Sequence, residues 1–346
     1  MRFGVYLNLF FRPGAGGGDV VMAAAVEQAR ACEQAGFDWV VLGERRHHQP
    51  GYHEILSSAT WLAAHTERIG IATAGIILPL YQPVPLAEFL AHVDVLSGGR
   101  LTPGFVLGYR PEEFATVEVD RAERLGRFEE NLSIVKKLWL DGQVSFTGKY
   151  HNLDNVLVAP RPVQRPRPRI WNGGRVPAAI RRTAALCDGW TTSFNEEFSD
   201  LIPAIELYRT QPPSADSLGR DVIMLREGYC APTTKLARAA LEAPLRSLYG
   251  AYTDWKRDSI DIGHYQNFDW ETVRRRAVVG SPAEVVDGIG RYREIGSDAV
   301  VLRIQPPAMP HQDAMRCIEL LATEVIPQLR ETADSGTPDP ATAPRR

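Results

Sequence analysis

The regular alternation of short apolar runs with amphipathic stretches constrains this 346-residue chain more than any single motif does. Apolar runs at 3–11, 38–44, 69–78, 101–107, 168–174, 188–193, 221–231 and 297–304 read as strands. Helical periodicity follows them near 19–35, 55–66, 84–97, 121–140, 176–186, 198–209 and 311–330, and a further helix opens at Ser281-Pro282 with Glu284 completing a capping box. Strands this apolar are buried on both faces, as parallel strands covered by helices are. Eight such units without a topological break imply a closed (β/α)8 barrel rather than an open sheet. Barrels of this kind take about 250 residues and grow with insertions, so one domain over 1–331 is expected. The hairpin-like QVSFTGKYHNLDNVLVAP after the fourth-strand helix and the aromatic-rich 232–279 after strand seven are the expected insertions. The tail from 332 to 346, poor in apolar residues, is expected to be disordered.

The segment from Arg68 to Phe114 contains one complete βαβ unit whose strand ends are unusual. The first strand carries Ala74-Gly75 just before Leu78-Pro79, and the second ends in Gly108-Tyr109-Arg110 just before acidic residues. Small residues at a strand end let a flat group approach the backbone. In a barrel the active groups belong on the loops after the strands.

Composition narrows the ligand class. A formal net charge of -3 with 23% charged residues gives no reason to expect nucleic acid or an anionic membrane, so small molecules are the expected ligands. The four scattered cysteines, Cys32, Cys187, Cys230 and Cys317, form no CxxC pair and read as reduced core thiols in a cytoplasm. The chain enters a strand directly, so neither a secretory leader nor a membrane span is expected.

Three motifs compete for a functional reading. PGAGGGD at 13–19 fails as a dinucleotide turn because Asp19 stands where the third glycine belongs and would repel a pyrophosphate. GERRHHQPGYHE at 43–54 gathers Glu44, His47, His48, His53 and Glu54; it suits a divalent metal, solvated histidines or a proton-handling loop, and the adjacent histidines lack the spacing of a metal pair. WNGGR at 171–175 opens a helix and offers backbone N–H groups to an oxyanion, with Arg175, Arg124 and Arg127 as further cations or as plain surface arginines.

Taken together, GERRHH, TERIGIATAGIILPLYQPVPLAE, VLSGGRLTPGFVLGYRPEEF, RFEENLSIVKKLW, GKYHNLDNVLVAPRPVQRPRPRIWNGG and CDGW closely resemble the bacterial-luciferase-like flavin-dependent oxidoreductases over about residues 1–330. The resemblance implies a (β/α)8 barrel of the TIM type that binds reduced FMN, or in some branches the deazaflavin F420, at the C-terminal ends of its strands. It implies a non-proline cis peptide at Ala74-Gly75 behind the isoalloxazine ring, Gly108 and Tyr109 beside it, and a phosphate site at Gly173, Gly174 and Arg124. Many members place Glu-His-His or Asp-His after strand two; here Arg45 takes the acid/base position, and arginine gives up no proton near neutral pH. His47 or His48 would then handle protons while Arg45 stabilises anionic charge, with Glu44, Tyr252 and Trp255 lining the substrate pocket. An arginine common after strand four is Leu107 here. The expected activity is a monooxygenase that takes reduced FMN from a separate reductase and uses O2 on a small organic substrate, as a cytoplasmic homodimer paired through the helices after strands two and three. F420-dependent hydride transfer, a metal-dependent barrel hydrolase and a non-catalytic flavin-binding subunit are the alternatives.

Overall fold

In the computed structural model, residues 1–11, 17–46, 51–255 and 268–334 are described. Eight parallel strands close on themselves. β1 (Arg2–Tyr6) pairs with β2 (Trp39–Leu42) and with β8 (Ala299–Arg303). β2 pairs with β3, which is broken into Gly70–Thr73 and Ile76–Ile77. β4 is broken likewise, into Leu101–Thr102 and Gly104–Val106, and each half pairs with one half of β3. β5 (Trp171–Gly173), β6 (Gly189–Thr191) and β7 (Asp221–Cys230) complete the ring back to β8. The strands are shorter than the apolar runs because Ala74-Gly75 and Pro103 interrupt the ladder.

Helices α1 (Gly18–Gln34), α2 (Ile55–His65), α3 (Pro83–Leu96), α4 (Arg124–Asp141), α5 (Pro177–Leu186) and α6 (Phe198–Thr210) follow strands one to six. An antiparallel ribbon, Gln143–Thr147 with Asn152–Leu157, follows α4. Beyond β7 come the helix Thr234–Trp255, the helix Trp270–Arg276, and Val278–Gly280, which pairs with the end of β7. A 13-residue helix, Pro282–Glu294, starts with the capping box read from Ser281 and Glu284. The last helix runs from His311 through a π turn at Leu321–Val325 to Asp334, past the expected start of the tail; the rest of that tail lies outside the described residues.

Period-two alternation divides each strand between two cores. Val41, Ala72, Trp171, Ile223, Leu225, Ala299 and Val301 fill the barrel, while Val40, Ile71, Val222, Met224, Val300 and Leu302 face the helices. The Trp39 and Trp171 indoles meet edge to face at 5.1 Å in the interior. Glycine makes their room: a Cβ on Gly70 would stand 2.3 Å from Trp39 Cδ1, and one on Gly189 2.6 Å from Trp171 Cδ1. All four cysteines are free and buried. Among the described residues, no helix is long and apolar enough to cross a membrane.

The seam between β3 and β4 is tighter than an ordinary ladder. Thr73 Oγ1 donates to the Gly104 carbonyl at 2.9 Å and accepts from the Gly104 N–H at 2.7 Å. A Cβ on Gly104 would lie 1.9 Å from the Thr73 carbonyl oxygen, and one on Gly75 2.7 Å from the Gly104 carbonyl oxygen. Those contacts are backbone, so no side chain can swing aside to make room. Gly104→Ala is therefore expected to destabilise the barrel by about 1–3 kcal/mol or more. Gly290→Ala, in a half-buried helix position where an added Cβ meets nothing within 4 Å, should be neutral or stabilise by up to about 1 kcal/mol. Urea midpoints at unchanged slope measure both, and equal midpoints for the two variants would contradict this account of the seam.

Candidate active site

The C-terminal ends of the strands surround a cleft of about 220 Å³, lined by residues including Tyr6, Glu44, Arg45, Ala74, Gly75, Tyr109, Arg110, Glu113, Phe194 and Arg303. The alternation that fills the barrel also builds its floor. On β8, Ala299 and Val301 point inward and Arg303 follows them in the top layer; on β7, Ile223 and Leu225 are succeeded by Glu227. Glu227 and Arg303 stand opposite each other in the ladder, and Arg303 grips the carboxylate through Nε at 3.0 Å and through Nη2. The same guanidinium lies 4.0 Å from the centre of the Phe194 ring, which meets Tyr6 edge to face. A buried charge pair of this kind keeps its geometry because breaking it leaves an uncompensated charge.

The second wall grows from the loop after β2. Glu44 is almost fully buried, and both of its oxygens are engaged: Oε1 accepts from the Tyr81 hydroxyl at 2.5 Å and from Arg46 Nε at 2.7 Å, and Oε2 accepts from the Ile77 N–H at 2.7 Å. Burial, and then the Glu44 carboxylate, push the Tyr81 hydroxyl above the usual phenol range, so it remains a donor. Glu44 thereby ties the β2 end to the second half of β3. Arg45 lines the cleft, with its guanidinium 5.6 Å from the Phe10 ring centre.

The Ala74–Gly75 peptide is cis, as the resemblance implies. Gly108, at φ +75, turns the chain after β4; a Cβ there would lie 2.6 Å from Ile77 Cγ2. The cleft thus brings together Glu44, Arg45, Ala74, Gly75, Gly108 and Tyr109, all singled out from the sequence. Gly173 and Gly174 lie one strand along, at the end of β5, where a Cβ on Gly173 would be 3.3 Å from Val106 Cγ1 of the cleft wall. The Gly174 carbonyl accepts from Trp190 Nε1 at 2.7 Å. Arg124 begins α4 and donates to the Arg121 carbonyl at 2.9 Å. Neither glycine nor Arg124 is in the cleft lining. His47 and His48 lie outside the described residues, as does most of PGAGGGD, and Tyr252 and Trp255 sit in the last turns of Thr234–Trp255 with side chains outside them too. His53 bonds the Gly18 carbonyl at 2.8 Å, and among the described residues no group of three His, Cys, Asp or Glu could hold a metal.

Sequence reasoning missed Tyr6, Glu113, Phe194, Arg303 and, beneath them, Glu227. A readable signal existed for the last two: charges inside otherwise apolar strands, REG in β7 and the terminal Arg of AVVLR in β8.

Just past Phe194, buried Glu196 accepts from the Ser193 N–H at 2.8 Å. Burial pushes its pKa from 4.5 up to about 7, against the pull of Arg226, that N–H and Arg175. Because the folded pKa is the higher one, the unfolded chain holds fewer protons between about 4.5 and 7, and this group makes stability fall as pH rises through that window. Glu196→Gln keeps an acceptor for Ser193 and removes the effect. Its melting temperature relative to the native chain should rise between pH 4.5 and pH 8, on the order of a few degrees; a pH-independent difference would contradict the assignment.

These features define a (β/α)8 barrel with a partly charged ligand cleft at the face where such barrels carry their active sites. The family model for luciferase-like monooxygenases matches residues 1–299, and the chain belongs to that family. A monooxygenase from Streptomyces bottropensis superposes with a TM-score of 0.81 at 26% identity, covering 95% of this chain and 99% of that one. The F420-dependent glucose-6-phosphate dehydrogenase of Mycolicibacterium smegmatis is 29% identical over 327 residues, 89% of this chain and 94% of the relative. The oxygenase component of the flavin-dependent trigonelline monooxygenase of Acinetobacter baylyi is 22% identical over 288 residues, 78% of this chain and 79% of the relative. The chain is accordingly an oxidoreductase of a family that includes both flavin-dependent and F420-dependent enzymes.

Proposed function

We propose that this chain is the oxygenase component of a two-component monooxygenase, using reduced FMN from a separate reductase and O2 to oxidise a small organic substrate. The observation that carries the reading is the Ala74–Gly75 strand end in a cleft lined by apolar Ile77, Val106 and Phe194 together with the guanidinium groups of Arg45, Arg110 and Arg303. A flat, mostly apolar seat beside cations suits a planar ring that carries negative charge when reduced. When bound, FMN would supply the electrons that activate O2. The chain's part is to seat and shield: Ala74 and Gly75 carry the ring, Gly108 and Tyr109 flank it, and Arg45 faces its negative charge. Gly173, Gly174 and Arg124 would take the phosphate at the start of α5. Ile77, Val106 and Phe194 would keep water out, and Glu44, Tyr252 and Trp255 would border the substrate. Four buried thiols suit a cytoplasmic setting.

A second reading, hydride transfer with F420, is favoured by the near full-length match to an F420-dependent dehydrogenase. Anaerobic fluorescence titration of the pure protein with reduced FMN and with reduced F420 separates the two. We expect saturable one-to-one binding of reduced FMN and O2 consumption by the loaded protein; tighter binding of F420 with no O2 uptake selects the second reading, and binding of neither rejects both.

The chain is further proposed to form a homodimer through α2 and α3, which pack together and expose Trp61 (51%), Phe89 (38%) and Leu96 (65%). Sedimentation velocity should give a dimer for the native chain and a monomer for Trp61→Glu with Leu96→Glu. A monomeric native chain would overturn it.

A further inference from the structure

Arginine at position 45 leaves a question the cofactor reading does not answer: which group of the cleft moves a proton. Glu44 is excluded by its partners, since Tyr81 and Arg46 occupy one oxygen and the Ile77 N–H the other. Glu227 is consumed by Arg303 at the barrel floor. Glu113 is different. It sits in the short helical turn Pro111–Ala115 after β4, is 2% exposed, and lines the cleft. Its polar contacts with described residues fall on Oε1: the Arg46 N–H donates at 3.0 Å, and Arg110 Nη1 stands 3.6 Å away. Oε2 is left for what the cleft holds.

We propose that Glu113, through Oε2, is the group of this chain that exchanges a proton with an ionisable N–H or O–H of the cleft's ligand. The inference rests on the cofactor reading above and adds the residue that serves it. In the step, the ligand's N–H or O–H bond breaks, its electron pair stays on the ligand atom, and a new O–H bond forms on Oε2; the reverse transfer restores the carboxylate. Four groups set the balance around it. Burial raises the pKa of Glu113, the Arg46 N–H, Arg110 and Arg45 pull it down, and Glu44 pushes it up again. Glu112 on its own turn is exposed and stands 3.7 Å from Arg110 Nε. A carboxyl held between opposing influences of this kind is suited to pass a proton in either direction. A reduced ring with negative charge beside it would raise its pKa further, so binding should draw a proton from solvent onto Oε2, which then holds it for transfer to the ligand atom and takes it back in the reverse step.

Glu113→Gln is the discriminating variant. The amide oxygen still accepts from the Arg46 N–H, so a merely positioning role survives the change while proton exchange does not. The measurement is anaerobic calorimetry of the full chain with reduced FMN, and in parallel reduced F420, from pH 5 to 8 in buffers of different ionisation enthalpy. The native chain is expected to take up part of a proton on binding over a pH interval in which the variant takes up none beyond the ring's own. Affinity at the acid end of the range should agree within about threefold, a difference under about 0.7 kcal/mol. Equal proton uptake in the two proteins overturns the proposal. So does loss of the uptake in His47→Asn with His48→Asn, or in Tyr6→Phe or Tyr109→Phe, while it persists in Glu113→Gln. Should Glu113→Gln fail to fold, Glu113→Asp keeps a carboxyl on a shorter stem and should shift the midpoint of the uptake; an unshifted midpoint overturns the proposal. Absence of binding by either cofactor would reject the cofactor reading instead, since the calorimetric signal itself would vanish.

Discussion

The close approach of β3 to β4 is the constraint on which the rest of the site depends. Thr73 stitches itself to both backbone groups of Gly104, and Gly75 and Gly104 lack the Cβ atoms that would force the strands apart. Through that seam the ring of strands closes, although both of its strands are broken at mid-length. The seam also puts Ala74–Gly75 and Gly108–Tyr109 on one cleft, so one structural solution provides barrel closure and the seat we propose for a flat ligand. On the proposed reading, substitutions there would couple stability to function, because the same backbone contacts would serve both.

Above the seam, electrostatics is settled pair by pair. Arg303 is matched by Glu227 in register, and Arg46 by Glu44 across the loop after β2. Such pairs contribute more to geometry than to net stability, since the cost of desolvating both partners offsets much of their attraction. Glu44 uses its remaining valence on the Ile77 N–H and the Tyr81 hydroxyl, which fixes the wall of the cleft relative to its floor. Arg45, Arg110 and Glu113 then form the charged edge open to a ligand.

The architecture was legible from the alternation of apolar runs and helical stretches, and the motifs that carry the family likeness are backbone clamps. Arg100 of SGGR donates to Ser97, Ala63, Thr66 and Ile69 and sews the turn after α3 to the end of α2. Asp188 of CDGW holds Arg167 together with the Ile170 and Leu218 N–H groups. Glu130 of RFEEN accepts from the backbone N–H groups of the 149–151 turn, and Asn131 donates to the carbonyls of Leu78 and Tyr81. Residues that satisfy buried backbone groups are tied to the fold and signal it strongly. The strand-end glycines could be read for a different reason, since a missing Cβ marks a close approach of backbone. The cleft residues were harder: Glu113 resembles any acid in a helix's first turn, and only the packing of Arg46 and Arg110 around it separates it from Glu112. Phe194 and Tyr6 owe their places to strand lengths, which periodicity leaves uncertain by a few residues.

The central claim is that the β3–β4 seam seats a flavin-type ring, and a crystal structure of the full chain soaked with FMN tests it most directly. The account predicts the isoalloxazine in van der Waals contact with Ala74 and Gly75, with Tyr109 and Phe194 at its borders. A ring bound elsewhere on the chain, or a cleft that holds the ring away from this peptide, would contradict it.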